Sequence, residues 1–279
     1  MFSLLLCSAD QGLYLMMLDS PFSLHNKVAL VSGLANRDSI AFGCAQALNQ
    51  AGARVIVTYM PGAERFVLPL ADELGNAELM PCDVQDDAQL TRLFTHIADR
   101  YGGVDVVVHS IAYAPIEDLR GRLIDASRQG FLLAMDISCH SFLRMARLAE
   151  PLMSEGSTLI NMSYLGAERV VQNYALMGPV KAALESMTRY MAAELGPQGL
   201  RVHAVSPGPI RTRAASGLKD FDTLADASEN RAPLRRLATI RDVGNTVVYL
   251  ASPAGAATTG GVHYIDAGDN IMYIGTEGD

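Results

Sequence analysis

Three residues with chemical potential stand close together: Tyr164, Tyr174 and Lys181. Tyr174 and Lys181 are seven positions apart, so an unbroken helix would carry both on one face, two turns from each other. A lysine cation near a phenol favours polarisation of the hydroxyl and can also grip the hydroxyls of a ribose. A phenol aimed at a substrate oxygen stabilises negative charge that develops there. Taken singly, each of the three reads as well as a half-buried tyrosine or a solvated lysine. Pro179 also bears on the geometry, because proline suits a first helical turn and breaks an interior one. A helix that starts as late as Met177 or Gly178 would leave Tyr174 to the preceding loop.

The 279-residue chain suits one large α/β domain as well as two small ones. Hydrophobic residues make up 49% and charged residues 19%, enough to bury a substantial core and too apolar for a disordered chain. A net charge of −8 argues against nucleic acid or an anionic membrane as the main partner. Cys7, Cys44, Cys82 and Cys139 show no CxxC and no zinc-type spacing with histidine, so no metal is expected. Reduced thiols in a cytoplasmic protein are the simplest reading. Residues 1–24 hold two apolar runs, Phe2 to Leu6 and Leu13 to Leu18, separated by a stretch containing Asp10 and Gln11. No Lys or Arg precedes Lys27, and neither run is long enough to span a bilayer. This stretch is expected to be a poorly ordered extension.

From residue 25 onward strands alternate with helices. Lys27 to Ser32 is a β-branched run opening into Gly33, followed by helical spacing from Ser39 to Ala51. Ala53 to Tyr59 reads as a second strand, 63–74 as a helix, and Glu78 to Pro81 as a third strand. Asp86 can cap a helix that runs to Tyr101, and Val104 to His109 is a fourth strand. A helical region of more than one helix spans 118–153. Thr158 to Met162, Leu200 to Val205 and Val262 to Ile265 are the remaining strands, with helices ending near Leu195 and over Asp242 to Ala251. The alternation predicts one α/β domain, a parallel sheet of about seven strands with helices on both faces.

In such a sheet ligands collect outside the C-terminal ends of the strands. Gly33 permits a tight turn after the first strand, and the helix near Ser39 offers free N–H groups to a pyrophosphate. The spacing is not G-x-G-x-x-G, so this motif is weak by itself. Cys82-Asp83-Val84 and His109-Ser110-Ile111-Ala112 lie at two further strand ends. Asp83 is placed to accept from an adenine amino group or to cap the next helix, a role for which Asp86 serves at least as well.

Together these stretches resemble the short-chain dehydrogenase/reductases, and specifically the divergent branch of bacterial NADH-dependent enoyl-[acyl-carrier-protein] reductases, from about Leu24 to Gly268. Ordinary members of the superfamily carry Tyr-x3-Lys and an upstream serine. Here Met177 lies four before Lys181, and Asn161 stands at the serine site. Tyr174-x6-Lys181 with Tyr164 ten residues earlier is similar to the enoyl reductase pattern, as are Ser163 to Arg169 and Gly208-Pro209-Ile210-Arg211-Thr212.

The resemblance implies a single Rossmann-type doubly wound domain over 25–279 that reduces the trans-2 double bond of an enoyl thioester on acyl carrier protein. It implies fatty acid biosynthesis as the setting and a homotetramer as the assembly. Tyr174 would polarise the thioester oxygen, Lys181 would hold the nicotinamide ribose, and Tyr164 would assist. Gly33, Ser39 and Ile40 correspond to the pyrophosphate region, Asp83 and Val84 to the adenine site, and Ser110, Ile111 and Ala112 to the cofactor cleft. Ile210, Arg211, Thr212, Arg213 and Ala214 would cover the nicotinamide and its phosphate. Ala114, Tyr164, Tyr174, Met177 and Phe221 are the substrate-side residues, under a lid near 211–231. Ala112 stands where many relatives have glycine, so its methyl narrows the space beside the cofactor. Met60 after the second strand offers no charge to a 2′-phosphate, which favours NADH over NADPH. Two rivals are a reductase of another enoyl or carbonyl substrate and a non-catalytic NAD(H) sensor. The carbonyl reductases of this superfamily need Tyr-x3-Lys, and such sensors tend to lose the Tyr or the Lys that this chain keeps.

Overall fold

The β-branched runs become strands of one sheet, all parallel, in the order β3-β2-β1-β4-β5-β6-β7. They are β1 (Val28–Ser32), β2 (Arg54–Tyr59), β3 (Glu78–Pro81), β4 (Val106–His109), β5 (Thr158–Met162), β6 (Arg201–Pro207) and β7 (Val262–Ile265). The computed structural model describes residues 20–75, 77–212, 215 and 220–272.

Because β1, β4 and β5 are covered on both faces, their side chains are buried throughout, as the unbroken apolar runs require. Alternate residues feed two cores. Leu30, Val107 and Leu159 face helices α2 (Asp87–Tyr101), α3 (Arg128–Met135), α4 (Ser141–Ala149) and α5 (Met177–Leu195). Val31, Val108 and Ile160 face α1 (Ile40–Gln50) and α7 (Ile240–Ala251). The remaining long helix, α6 (Phe221–Arg231), lies between β6 and α7 in the chain. This is the doubly wound, Rossmann-like architecture expected from the alternation.

Five details differ from or add to expectation. The helix expected over 63–74 is a single turn, Glu64–Val67, followed by two 3₁₀ turns, since Pro69 cannot continue the α-helical ladder. β6 runs on to Pro207, and α7 begins at Ile240, fixed by a capping box between Thr239 and Asp242. α3 and α4 are joined by a π-helical turn, Asp136–His140. The packed body also begins before residue 25. Leu24 is buried and donates to Ala51 O at 2.8 Å, and Ala254 N donates to Pro21 O at 2.9 Å. Residues 1–19 of the expected extension lie outside the described residues.

Candidate active site

The strand order reverses between β1 and β4, which opens a crevice at their C-terminal ends. Ser32 and His109 are register partners there, and Gly33 and Ser110 follow them. Gly33 has φ +97°, and a β-carbon on it would lie 2.1 Å from the Ser110 carbonyl oxygen, so only glycine lets the two turns approach. Ser39 then caps α1 by accepting from Phe42 N, leaving the free N–H groups of the first turn beside the crevice.

The crevice deepens into a cavity of ≈ 360 Å³. At one end stand Gly33, Ser39 and Ile40, in the middle Ser110, Ile111, Ala112 and Ala114, and at the far end Tyr164, Tyr174, Met177 and Lys181. Ile210, Thr212 and Phe221 close it from the side of β6 and α6. Fourteen of the expected site residues thus share one cavity. Among its described lining residues Lys181 is the sole charged side chain, so no carboxylate opposes an anionic ligand. Together with the open end of α1, this donor set fits a dinucleotide.

The Tyr174–Lys181 relationship is not the shared helical face of an unbroken helix. α5 starts at Met177, with Pro179 in its first turn, and Tyr174 sits in the loop before it. Asn173 (φ 60°) and Ala175 (φ 29°) on either side are left-handed, a kink that costs about 1 kcal/mol at the alanine and turns the phenol inward. Its ring meets that of Tyr164 with centroids 4.7 Å apart. Burial, and then the neighbouring phenol, pushes the Tyr174 hydroxyl far above its ordinary range. Burial and the charge of Asp269 push Tyr164 up to about 12. Both are therefore neutral donors at physiological pH. Lys181 is 4% exposed, and its Nζ donates to Met162 O at 2.7 Å, which leaves two of its three donors for a ligand. Burial draws its pKa down to about 8, against the opposing pull of Cys139 and Glu185.

Several expected residues lie elsewhere. Met60 is exposed at the end of β2. Asp83 accepts from Gln85 N at 2.9 Å and does not cap α2, which Asp86 does. The Val84 side chain is packed into the core. Arg211 pairs with Asp222 and Asp226 of α6. Arg213 and Ala214 lie outside the described residues, as do residues 216–219 of the expected lid. Missed were Asn36, Tyr113 and Leu119, which line the cavity, and the buried pair Ser163 and Glu185, whose Oγ–Oε1 distance is 2.5 Å. Glu185 could have been found, since it lies four residues beyond Lys181.

A dinucleotide crevice at a topological switch point, ending in a buried lysine and two phenols, defines an oxidoreductase of the short-chain dehydrogenase/reductase type. The family profile described as enoyl-(acyl carrier protein) reductase matches residues 33–270. An enoyl-[acyl-carrier-protein] reductase [NADH] from a Nostoc species is 44% identical over 254 residues, covering 90% of this chain and 98% of that one. The crystal structure of the Bacillus cereus enoyl-acyl carrier protein reductase, solved with NADP+ and an indole naphthyridinone, superposes with TM-score 0.87 at 44% identity, covering 90% and 99% of the chains. The Anaplasma phagocytophilum enzyme, solved with NAD, gives TM-score 0.87 at 40% identity, covering 91% and 97%. The chain belongs to the family of NADH-dependent enoyl-[acyl-carrier-protein] reductases.

Proposed function

We propose that this protein reduces the trans-2 double bond of an enoyl thioester carried on acyl carrier protein, in fatty acid biosynthesis. The observation that carries this reading is the presence of a neutral, half-buried phenol and a buried lysine in one dinucleotide crevice. NADH, when bound, supplies the hydride that reaches the β-carbon of the enoyl group. As that bond forms, the electrons of the double bond shift towards the thioester carbonyl and negative charge builds on its oxygen.

Tyr174 donates a hydrogen bond to that oxygen. Its raised pKa keeps the proton on the phenol, so it stabilises the enolate as a donor, and a proton from solvent adds at the α-carbon to complete the reduction. Tyr164, in ring contact, supports the orientation of Tyr174 and lies beside the acyl thioester. Lys181 uses its two free donors on the nicotinamide ribose, which fixes the distance between cofactor and substrate. Gly33, Ser39 and Ile40 hold the pyrophosphate region, Ser110, Ile111 and Ala112 flank the cofactor, and Ile210 and Thr212 cover the nicotinamide. Asp83 and Val84, at the end of β3, belong to the adenine side, where Val84 has only backbone to offer. Arg211 contributes through its hold on α6.

Ala114, Met177 and Phe221 form the apolar wall for the acyl chain, with α6 beside it. A homotetramer in the cytoplasm is the assembly and setting that this reading implies. Exposed Phe131, Leu132 and Tyr190 on the adjoining helices α3 and α5 support contact between copies. Among the described residues no helix is long and apolar enough to cross a membrane.

The test is loss of NADH absorbance on adding a trans-2-enoyl thioester, on carrier protein and on coenzyme A, with NADPH in parallel. Turnover with NADH supports the reading. NADH binding without turnover on either carrier would replace it with a sensor or a reductase of another substrate.

A further inference from the structure

Behind the two tyrosines lies a buried carboxylate for which the reduction described above has no use. Glu185 is 3% exposed and sits on α5 one turn beyond Lys181. Ser163 donates from Oγ to Glu185 Oε1 at 2.5 Å, and Lys181 donates from Nζ to the carbonyl oxygen of Met162 at 2.7 Å. The helix therefore grips two consecutive residues at the end of β5, and the next residue is Tyr164. Burying a carboxylate is costly unless its charge is matched, and a neutral residue of similar shape would fill this place more cheaply.

We propose that Glu185 is a positioning residue for the reduction, holding Tyr164 in place through Ser163 and keeping Lys181 protonated by facing it with a negative charge. This rests on the roles given above to Tyr164 and Lys181. The other groups around Lys181 do not supply that charge. Cys139, from the π-helical turn, is a thiol pushed up to about 11 by burial. His109, at the end of β4, is a neutral imidazole whose pKa burial draws down to about 3. The Glu185 pKa is itself raised by burial and by the neighbouring charge of Glu168, and drawn back by Ser163, Arg189 and Lys181. From β7, Tyr264 feels the same carboxylate and, with its own pKa raised, is uncharged.

The test is the pH dependence of NADH binding, followed by the fluorescence of bound NADH, alongside kcat with an enoyl thioester. Glu185→Gln keeps an acceptor for Ser163 and removes the charge. The alkaline limb of NADH binding should then move down by about one pH unit. Ser163→Ala should leave that limb in place and lower kcat several-fold, because only the hold on Tyr164 is lost. In a Lys181→Met background Glu185→Gln should cause no further shift.

A Glu185→Gln limb superimposed on wild type overturns the proposal, as does a shift that persists without Lys181. Should Glu185→Gln fail to fold, Glu185→Asp carries the test. It keeps the charge and loses reach to Ser163, so the limb should stay and kcat should fall; a displaced limb overturns the proposal. NADH binding needs no thioester turnover. A protein with the expected limb that reduces no enoyl thioester would therefore contradict the proposed reaction and support the Glu185–Lys181 pairing.

Discussion

Tyr164 and Tyr174 meet ring to ring, with centroids 4.7 Å apart and planes inclined at 59°. One comes from the end of β5 and the other from a kinked loop before α5. What lets them meet is Gly166, where a β-carbon would lie 2.5 Å from Tyr174 Cδ1 and 2.8 Å from Cε1. The pair is therefore built as much by an absent side chain as by the rings themselves.

Gly166→Ala must push the Tyr174 ring aside. We expect kcat with an enoyl thioester to fall on the order of 10²-fold, the effect of misplacing a reacting group by about 1 Å. NADH affinity should change little, because Gly166 stands on the substrate side. Equal kcat values for the two proteins would show that the ring contact does not position Tyr174.

Helix α6 is tied at both ends, by bonds of unequal worth. Near its N-terminus Arg211 reaches Asp222 and Asp226, all well exposed. At its C-terminus Asp269, 4% exposed, accepts from Arg231 Nε at 2.6 Å and from Ser228 Oγ at 2.8 Å. Replacing Asp222 and Asp226 together by Asn should cost under about 1 kcal/mol. Asp269→Ala strands a partly buried guanidinium and should cost about 3 kcal/mol. Urea unfolding of both variants checks the contrast, and costs of equal size would refute it.

Two buried histidines, His109 and His203, make the fold sensitive to acid. Burial draws both pKa values down to about 3 from an ordinary 6.5. Between those values the unfolded chain binds protons that the folded chain refuses, so stability rises with pH across the window and is lost as pH falls from 6.5 towards 3. His109→Gln should flatten part of that slope in urea unfolding at pH 7 and pH 5. An unchanged slope would assign the acid sensitivity to other groups.

The sheet was legible because parallel strands covered on both faces leave continuous apolar runs, as in Val106 to His109. Asp86 was legible as a cap, and Pro179 announced a late start for α5. Pro69 gave the same kind of warning for residues 63–74, where helical periodicity hid the break. The cavity was legible where a residue belongs to a strand end, as with Gly33 and Ser110. Arg211 was not, since which way an exposed guanidinium swings depends on Asp222 and Asp226, eleven and fifteen residues away. The Ser163–Glu185 bond was hidden because it joins a strand end to a helix across 22 residues, and no local pattern encodes such a pairing.

The measurement that bears most directly on the chemistry is kcat for NADH oxidation by a trans-2-enoyl thioester in wild type and Tyr174→Phe. Removing a preorganised donor from a developing oxyanion should lower kcat by about 10²–10³-fold, while NADH binding, held by Lys181, stays near the wild-type value. A Tyr174→Phe protein that turns over as fast as wild type would contradict the role given to that phenol, and with it the reading of the whole site.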